Sequence, residues 1–370
     1  MASASSIQQT AVVPARNWDW ASAATLAEAL GKCEIRLQAE PTNAEAWRLR
    51  SYLLGRLGRY EAAVSSYQKT LAFAPTDPTV WANYGTALAA AGWVTEAANA
   101  YEKALEFAPH QGRIWYRYGQ LLHRLKRYEA AVAAYGQALT QEPSNGLFWH
   151  GQGLAAYRLR CFDQAIACFK AAIHHAPQHR DAYLALAFTL TRLQRYPEAL
   201  VCLAEPLRQR WADPRLYACY GHILRRQGDT ATALDHIHHA VRLDPENPRT
   251  WFQKGITLAR LCRYEEAHHA LTEALKRQIY FVQGWLVLGL TLRQLHRYEE
   301  AIEAFNKALA IEPDLALAFF QQACCYAALE RPDWAIEHLR RAVKLNPQKY
   351  LPRVQQDELL KTISPLDGDL

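Results

Sequence analysis

The chain has 370 residues, of which 50% are hydrophobic and 21% are charged. The 42 Lys and Arg residues exceed the 36 Asp and Glu residues by six, so the net charge is +6. This composition is typical of a well-buried soluble protein and argues against a membrane-spanning or disordered chain. The charge also falls short of the strongly basic balance of many nucleic-acid-binding domains, so net charge alone indicates no partner.

The N-terminal region precedes any regular pattern. Residues 1–17 lack an apolar core beside a small-residue cleavage site, so we expect a flexible leader there. Residues 18–43 are expected to form an N-terminal cap, with one amphipathic helix over residues 21–39 that ends before Pro41. No stretch reaches the roughly twenty apolar residues of a membrane helix. The eight cysteines have neither a CxxC pair nor zinc-ligand spacing, which is typical of reduced thiols in a cytoplasmic protein.

A strict period of 34 residues organises the rest of the chain. One aromatic position recurs nine times, at Trp47, Trp81, Trp115, Trp149, Tyr183, Tyr217, Trp251, Trp285 and Phe319. An alanine follows each aromatic by 16 residues, from Ala63 to Ala335. The period divides the segment without gaps into repeats 44–77, 78–111, 112–145, 146–179, 180–213, 214–247, 248–281, 282–315 and 316–349.

Each repeat predicts two packed helices. The first helix carries the aromatic at repeat position 4 and a small residue such as Gly153 at position 8. The second helix carries the alanine at position 20 and a large apolar residue such as Phe169 at position 24. Because the small residue leaves space, we expect the large one to fill it. A proline at position 32, such as Pro75, is expected to end the second helix in seven repeats.

This pattern resembles the tetratricopeptide repeat (TPR) family. The resemblance implies an all-α, right-handed superhelical solenoid of helix-turn-helix repeats, whose first helices line a concave groove, and it implies binding rather than catalysis. The sequence has no glycine-rich phosphate loop, nucleophile elbow or HExxH motif. We therefore expect no enzyme, no cofactor and no metal site. The His pairs, such as His238 and His239, leave metal binding as a minor alternative.

The irregular segments carry their own predictions. Residues 350–370 are expected to form a C-terminal capping helix, over 353–362, and a loose tail. Pro206 should bend the second helix of the fifth repeat. In the seventh repeat, Ile279, Tyr280 and Phe281 replace the terminal proline; they are expected to be buried by the next repeat, or otherwise to form an apolar contact site.

The groove face of the first helices is rich in arginine. In the TPR family this face comprises positions 2, 6, 9 and 13, flanked by 5 and 12. Across nine repeats these positions hold two acidic residues, no lysine and thirteen arginines, a net charge of +11. The arginines are Arg48, Arg56, Arg113, Arg117, Arg124, Arg158, Arg192, Arg215, Arg225, Arg226, Arg249, Arg260 and Arg293. A surface of one sign attracts an acidic partner, although many of these arginines could instead pair with Glu or be solvated.

We predict a peptide-binding site on this face. Its residues are Arg48, Tyr52, Asn83, Arg113, Tyr116, Arg117, Arg124, His150, Arg158, Arg192, Arg226 and Arg260. Arg48, Asn83, Arg113 and Arg117 resemble four of the five positions of the carboxylate clamp in TPR co-chaperones. Tyr52 stands where that clamp has Asn, so the resemblance is incomplete.

The favoured function is a non-catalytic cytoplasmic scaffold, adaptor or assembly factor that binds an extended acidic segment of a partner protein. One alternative is a single-stranded nucleic-acid-binding protein, because helical repeats with arginines and aromatics can hold bases. Another alternative, by analogy at family level only, is an assembly platform for a multi-subunit complex such as a photosynthetic one.

Overall fold

The structure is a computed structural model that describes residues 23–356 and residue 360. Over these residues the chain forms twenty α-helices and no strand. The helices are α1 (Ala23–Ala39), α2 (Ala44–Arg56), α3 (Tyr60–Phe73), α4 (Pro78–Ala91), α5 (Val94–Phe107), α6 (Gly112–Arg124), α7 (Tyr128–Gln141), α8 (Gly146–Arg158), α9 (Phe162–His175), α10 (Arg180–Arg192), α11 (Tyr196–Arg208), α12 (Pro214–Gln227), α13 (Thr230–Leu243), α14 (Pro248–Arg260), α15 (Tyr264–Arg277), α16 (Val282–Gln294), α17 (Tyr298–Ile311), α18 (Ala316–Ala328), α19 (Pro332–Leu345) and α20 (Pro347–Gln356). The prediction of an all-α repeat fold is confirmed. The predicted leader and most of the predicted tail lie outside the described residues.

The chain divides into two compact parts, an N-terminal half (Met1–Thr189) and a C-terminal half (Leu190–Leu370). Within each half, the two helices of a repeat pack against one another, as α4 does with α5 and α12 with α13. The first helices of successive repeats also contact each other, including α4 with α6 and α12 with α14. The groove positions of neighbouring repeats therefore lie side by side within each half.

The first helices begin with side-chain caps where the sequence offers Asn or Asp. Asp77 accepts hydrogen bonds from the backbone N–H groups of Thr79 and Val80 at the start of α4. Asn43, Asn145, Asp213 and Asn247 cap α2, α8, α12 and α14 in the same way. Each such cap stabilises a helix by about 1 kcal/mol, so these residues help to fix where each repeat starts.

The predicted close approach of the paired helices is confirmed. A Cβ added to Gly153 in α8 would lie 2.6 Å from Cε1 of Phe169 in α9. Ala165, at position 20 of the same repeat, is fully buried. Because no side chain separates the two backbones at position 8, the large residue at position 24 fills the space directly.

The repeated tryptophan has a polar role as well as a packing role. The indole N–H of Trp81 donates a hydrogen bond to the carbonyl oxygen of Pro75 over 2.7 Å. Trp47, Trp115, Trp149 and Trp251 make the same bond to the proline six residues earlier, and Trp285 makes it to Ile279. This bond fastens the turn between repeats to the following first helix, which accounts for the use of tryptophan at this position.

Two irregular segments differ from expectation, and a third has a proline within a helix. Helix α20 begins at Pro347, earlier than the predicted helix over 353–362, because proline is tolerated in a first turn and Asn346 accepts the N–H of Lys349. Helix α11 includes Pro206 and ends at Arg208, and the bend expected at Pro206 stays a prediction. The predicted burial of the 279–281 turn is wrong for Ile279 and Tyr280, whose exposed fractions are 60% and 81%.

Phe281 alone of this turn packs inward. Its ring meets that of Phe252 edge-on, with the ring centroids 4.5 Å apart. A turn of three residues cannot direct all its side chains to one side, so Phe281 takes the inner position and its two neighbours face solvent.

Candidate functional site

The strongest feature of the groove face is a buried arginine without a carboxylate partner. Arg117 in α6 has an exposed fraction of 6%, and its Nη1 donates a hydrogen bond to Oδ1 of Asn83 in α4 over 3.0 Å. No carboxylate among the described residues lies within ion-pair distance of Arg117. A guanidinium has five N–H donors, so Asn83 satisfies only a small part of its capacity.

The surroundings of Arg117 favour an incoming anion. Burial lowers the pKa of Arg117; Tyr101 and Tyr67 act in the opposite direction, and the neighbouring Arg113 adds to the lowering. Both arginines and Asn83 line a small cleft together with Thr79, Ala82, Gln111 and Ile114. Since arginine stays charged at physiological pH, the cleft presents two positive charges. One is on the buried side chain of Arg117 and the other on the exposed side chain of Arg113.

Arg48, the first residue of the clamp-like set, is partly neutralised. One of its guanidinium nitrogens lies 3.6 Å from Oδ2 of Asp77, the residue that caps α4. Tyr52, the departure from the clamp pattern, accepts a hydrogen bond from Arg56 through its hydroxyl group over 3.1 Å. The N-terminal half therefore brings Asn83, Arg113 and Arg117 together, while Arg48 and Tyr52 have partners of their own.

Tyr67 is a residue of this region that sequence reasoning assigned to packing alone. Burial raises the pKa of its phenol, and Arg117 and Arg48 both act in the opposite direction. The phenol therefore interacts electrostatically with both guanidinium groups. Its position 24 in the repeat is the core position of the second helix, so the sequence pattern contained no signal for a polar role.

Two arginines of the predicted site form hydrogen bonds between neighbouring repeats. Arg124, at position 13, donates a hydrogen bond to the carbonyl oxygen of Ala89 near the end of α4. In the C-terminal half, Arg260 donates in the same way to the carbonyl oxygen of Arg225 over 3.3 Å. The last carbonyl groups of a helix lack intrahelical partners, so a position-13 arginine can cap the first helix of the preceding repeat.

Four other predicted site residues either pack against neighbours or are exposed. The ring of Tyr116 stacks on Phe148, with centroids 4.9 Å apart. The ring of His150 lies 4.6 Å from that of His179, and burial, followed by His179, lowers the pKa of His150 to about 4. Arg158 and Arg192 are exposed near the ends of α8 and α10. These four side chains are not gathered at the Arg117 cleft.

The aromatic side chains among the groove arginines are mostly engaged in packing. Phe252 meets Phe281, and Phe320 is buried against Tyr350 with ring centroids 5.0 Å apart. Phe188 differs, because 53% of its surface is exposed. Few of these rings are therefore free to stack on another molecule.

The C-terminal half contains a second group of positive side chains, at the end of α12. Arg226 was a predicted site residue, and its side chain is exposed. Arg225 beside it is buried, and its Nη2 lies 3.0 Å from Nδ1 of His222. His222 was not predicted; its position 9 on the groove stripe was the available signal.

In residues 23–356, no three or more His, Cys, Asp and Glu side chains are grouped so that they could hold a metal ion. None of the helices in that part of the chain combines the length and apolar character needed to cross a membrane.

The helical hairpins and their 34-residue spacing define a helical repeat protein. Models of the tetratricopeptide repeat match residues 16–78, 84–146, 150–214 and 252–316, and further TPR models match residues 214–257 and 316–349. The chain belongs to the tetratricopeptide repeat family. The family is typically non-catalytic, and membership supports a protein-interaction scaffold.

Solved structures agree with this fold. The Cut9–Hcn1 hetero-tetramer of the APC/C is similar at 17% identity with a TM-score of 0.52, over 87% of this chain and 63% of that chain. This chain thus spans less than two thirds of the length of that relative. A TPR protein from Parabacteroides merdae is similar at 19% identity with a TM-score of 0.53, over 67% of this chain and 98% of that one. A comparison with curated proteins gives no match.

Proposed function

We propose that this scaffold binds an extended acidic segment of a partner protein, with the cleft at Arg113 and Arg117 as the main contact. The observation that carries the proposal is that Arg117 is buried and bonded to an amide oxygen rather than to a carboxylate. Burying a charge without a counter-charge costs free energy. A carboxylate from a partner would supply that charge and accept two parallel hydrogen bonds from one guanidinium.

The partners of Arg48 and Tyr52 favour acidic side chains over a dedicated clamp for a chain terminus. Arg48 is paired with Asp77, and the hydroxyl group of Tyr52 is bonded to Arg56. A terminal carboxylate would therefore find fewer free donors than the clamp resemblance implies. Acidic side chains need only the two arginines of the cleft, and such binding would suit an adaptor or assembly factor in the cytoplasm.

The packing of the aromatic side chains supports a protein partner over a single-stranded nucleic acid. Binding of single strands relies on aromatic rings that stack on successive bases. Tyr116, Phe252 and Phe320 use their rings in contacts within the fold. Arg113 and Arg117 line the cleft without a carboxylate partner among the described residues, whereas most of these aromatic rings are already packed.

The test is binding of a fluorescein-labelled oligo-glutamate peptide, measured by fluorescence anisotropy at low salt. We expect the uncharged oligo-glutamine peptide to bind far more weakly and Arg113→Ala to weaken oligo-glutamate binding about tenfold, the effect of losing one charge-assisted hydrogen bond. Added salt should also weaken binding, because it screens exposed charges.

Arg59→Ala is the matched control, because Arg59 is an exposed arginine of the same half whose side chain makes no cap hydrogen bond to α3. The variant changes net charge by the same amount outside the groove positions. Equal affinity for the two peptides, or equal effects of Arg113→Ala and Arg59→Ala, would contradict the proposal.

A further inference from the structure

Three arginines and one histidine are grouped at the end of α12, in the C-terminal half. His222, Arg225 and Arg226 belong to α12, and Arg260 belongs to α14. Arg225 has an exposed fraction of 7%, and its Nε has no hydrogen-bond partner. Its Nη2 lies 3.0 Å from Nδ1 of His222. Arg260, from α14, donates its hydrogen bond to the carbonyl oxygen of Arg225 and so lies against the same turn.

The hydrogen bond between Arg225 and His222 fixes the role of the imidazole. A guanidinium can only donate, so Nδ1 of His222 accepts and Nε2 carries the proton of the neutral ring. Burial, followed by Arg225, Arg226 and Arg260, lowers the pKa of His222 to about 4. At neutral pH His222 is therefore an uncharged side chain with one free N–H donor.

The part of the chain that the structure describes offers these three arginines no acidic counterpart. Among the described residues, no carboxylate lies within ion-pair distance of Arg225, Arg226 or Arg260. Burial and the two neighbouring arginines together lower the pKa of Arg225 to about 10. Like charges at close range with an unpaired buried Nε destabilise the fold, and an anion at this place would relieve the repulsion.

We propose that Arg225, Arg226, Arg260 and His222 form a binding site for a phosphate dianion, carried as a phosphorylated side chain by a partner protein. A phosphate monoester brings close to two negative charges and three acceptor oxygens, which matches three guanidinium groups better than the single charge of a carboxylate. One guanidinium group can also donate two parallel hydrogen bonds to two oxygens of the same phosphate. The ring of Phe252, on α14 as Arg260 is, packs against Phe281 and so is not free to stack on a nucleotide base.

The test uses a labelled peptide of glycine and serine that carries one phosphoserine, with anisotropy as the readout. Controls are the same peptide with serine or with glutamate at that position, and a labelled single-stranded oligonucleotide. We expect the phosphopeptide to bind at least about tenfold more tightly than the serine and glutamate peptides, as charge-assisted bonds to a dianion require. Arg225→Met and Arg226→Ala should each abolish that preference.

Arg225→Met also separates an anion site from a purely structural role. Removing an unpaired buried charge should raise the melting temperature in phosphate-free buffer, and inorganic phosphate should raise the melting temperature of the wild type but not of this variant. A variant that melts lower and still responds to phosphate would overturn the proposal. Arg226→Ala replaces an exposed side chain, so it keeps the binding test usable if Arg225→Met folds poorly.

Two further variants act as controls. Arg340→Ala removes an exposed arginine from α19 of the same half and should keep phosphopeptide binding. Arg113→Ala changes the other site and should keep it as well, so failure of one site is distinguishable from failure of the other. Equal binding of the phosphorylated and unphosphorylated peptides would overturn the proposal. Tighter binding of the oligonucleotide than of the phosphopeptide would overturn the part of the proposal that assigns the phosphate to a partner protein.

Discussion

Arg117 and Asn83 occupy the same position of consecutive repeats, and the guanidinium of the first donates a hydrogen bond to the side-chain oxygen of the second over 3.0 Å. The two residues are 34 apart in sequence, one full period of the repeat. Side chains at equal repeat positions thus become neighbours in space where first helices pack together. This hydrogen bond joins α4 to α6, and its donor is the buried charged group of the cleft.

This relationship predicts strong coupling between the two side chains. Asn83→Ala leaves the buried guanidinium without its acceptor and should lower the free energy of unfolding by about 1–3 kcal/mol. In an Arg117→Met background the same change should cost much less, because no charge remains to be satisfied. Urea unfolding of the four proteins in a double-mutant cycle measures the coupling; additive effects would show that the bond contributes little.

The close approach at Gly153 predicts opposite outcomes for two glycine substitutions in the N-terminal half. Gly153→Ala forces a Cβ to within 2.6 Å of the Phe169 ring and should lower the free energy of unfolding by about 1–3 kcal/mol. Gly55→Ala, in α2, meets no atom within 4 Å and should raise it by up to about 1 kcal/mol. Urea midpoints decide between them, and a shift of the same sign in both variants would refute the packing account.

The half-buried pair of His150 and His179 predicts a loss of stability in acid. Burial, with His179, lowers the pKa of His150 to about 4, whereas Asp181 acts weakly in the opposite direction. As the pH falls below about 6.5, the unfolded chain takes up this proton before the folded chain does. The free energy of unfolding should therefore fall by roughly 2–3 kcal/mol between about pH 6.5 and about pH 4, and the contribution is fully present above that window.

His150→Leu tests the assignment, since its side chain does not titrate. Comparing urea unfolding at about pH 7.5 and about pH 4.5, the variant should lose about 2 kcal/mol less than the wild type. His179 has its own pKa lowered by burial, so part of the acid sensitivity should remain. An unchanged acid sensitivity in the variant would assign the effect to other groups.

The turn of the seventh repeat predicts unequal roles for its three apolar residues. Tyr280→Ser should change the free energy of unfolding by less than about 0.5 kcal/mol, because the side chain is exposed. Phe281→Ser should lower it by about 2 kcal/mol or more, because the ring packs on Phe252. Thermal or urea melts measure both; a large loss with Tyr280→Ser would indicate that this ring is buried after all.

The sequence determined the repeat architecture because each repeat has residues of complementary size at the positions where its two helices meet. Position 8 is small where position 24 is large, as in Gly153 and Phe169, and helix geometry converts that spacing into contact. The resemblance to the TPR family indicated which positions form the groove face, and the sequence shows the excess of arginine at those positions. It predicted Asn83, Arg113 and Arg117 as members of one site, and the N-terminal half brings these three side chains to one cleft.

Only the tertiary structure decided what each arginine does. Position 13 is arginine in several repeats, yet Arg124 and Arg260 bond to carbonyl groups of the preceding repeat, whereas Arg226 stays exposed. Arg117 is buried beside Tyr67, a residue that the pattern assigned to the core. The reason is physical. The helical period determines the face of the helix from which a side chain projects. The partner of a long, flexible arginine side chain depends on which groups of other helices lie within its reach.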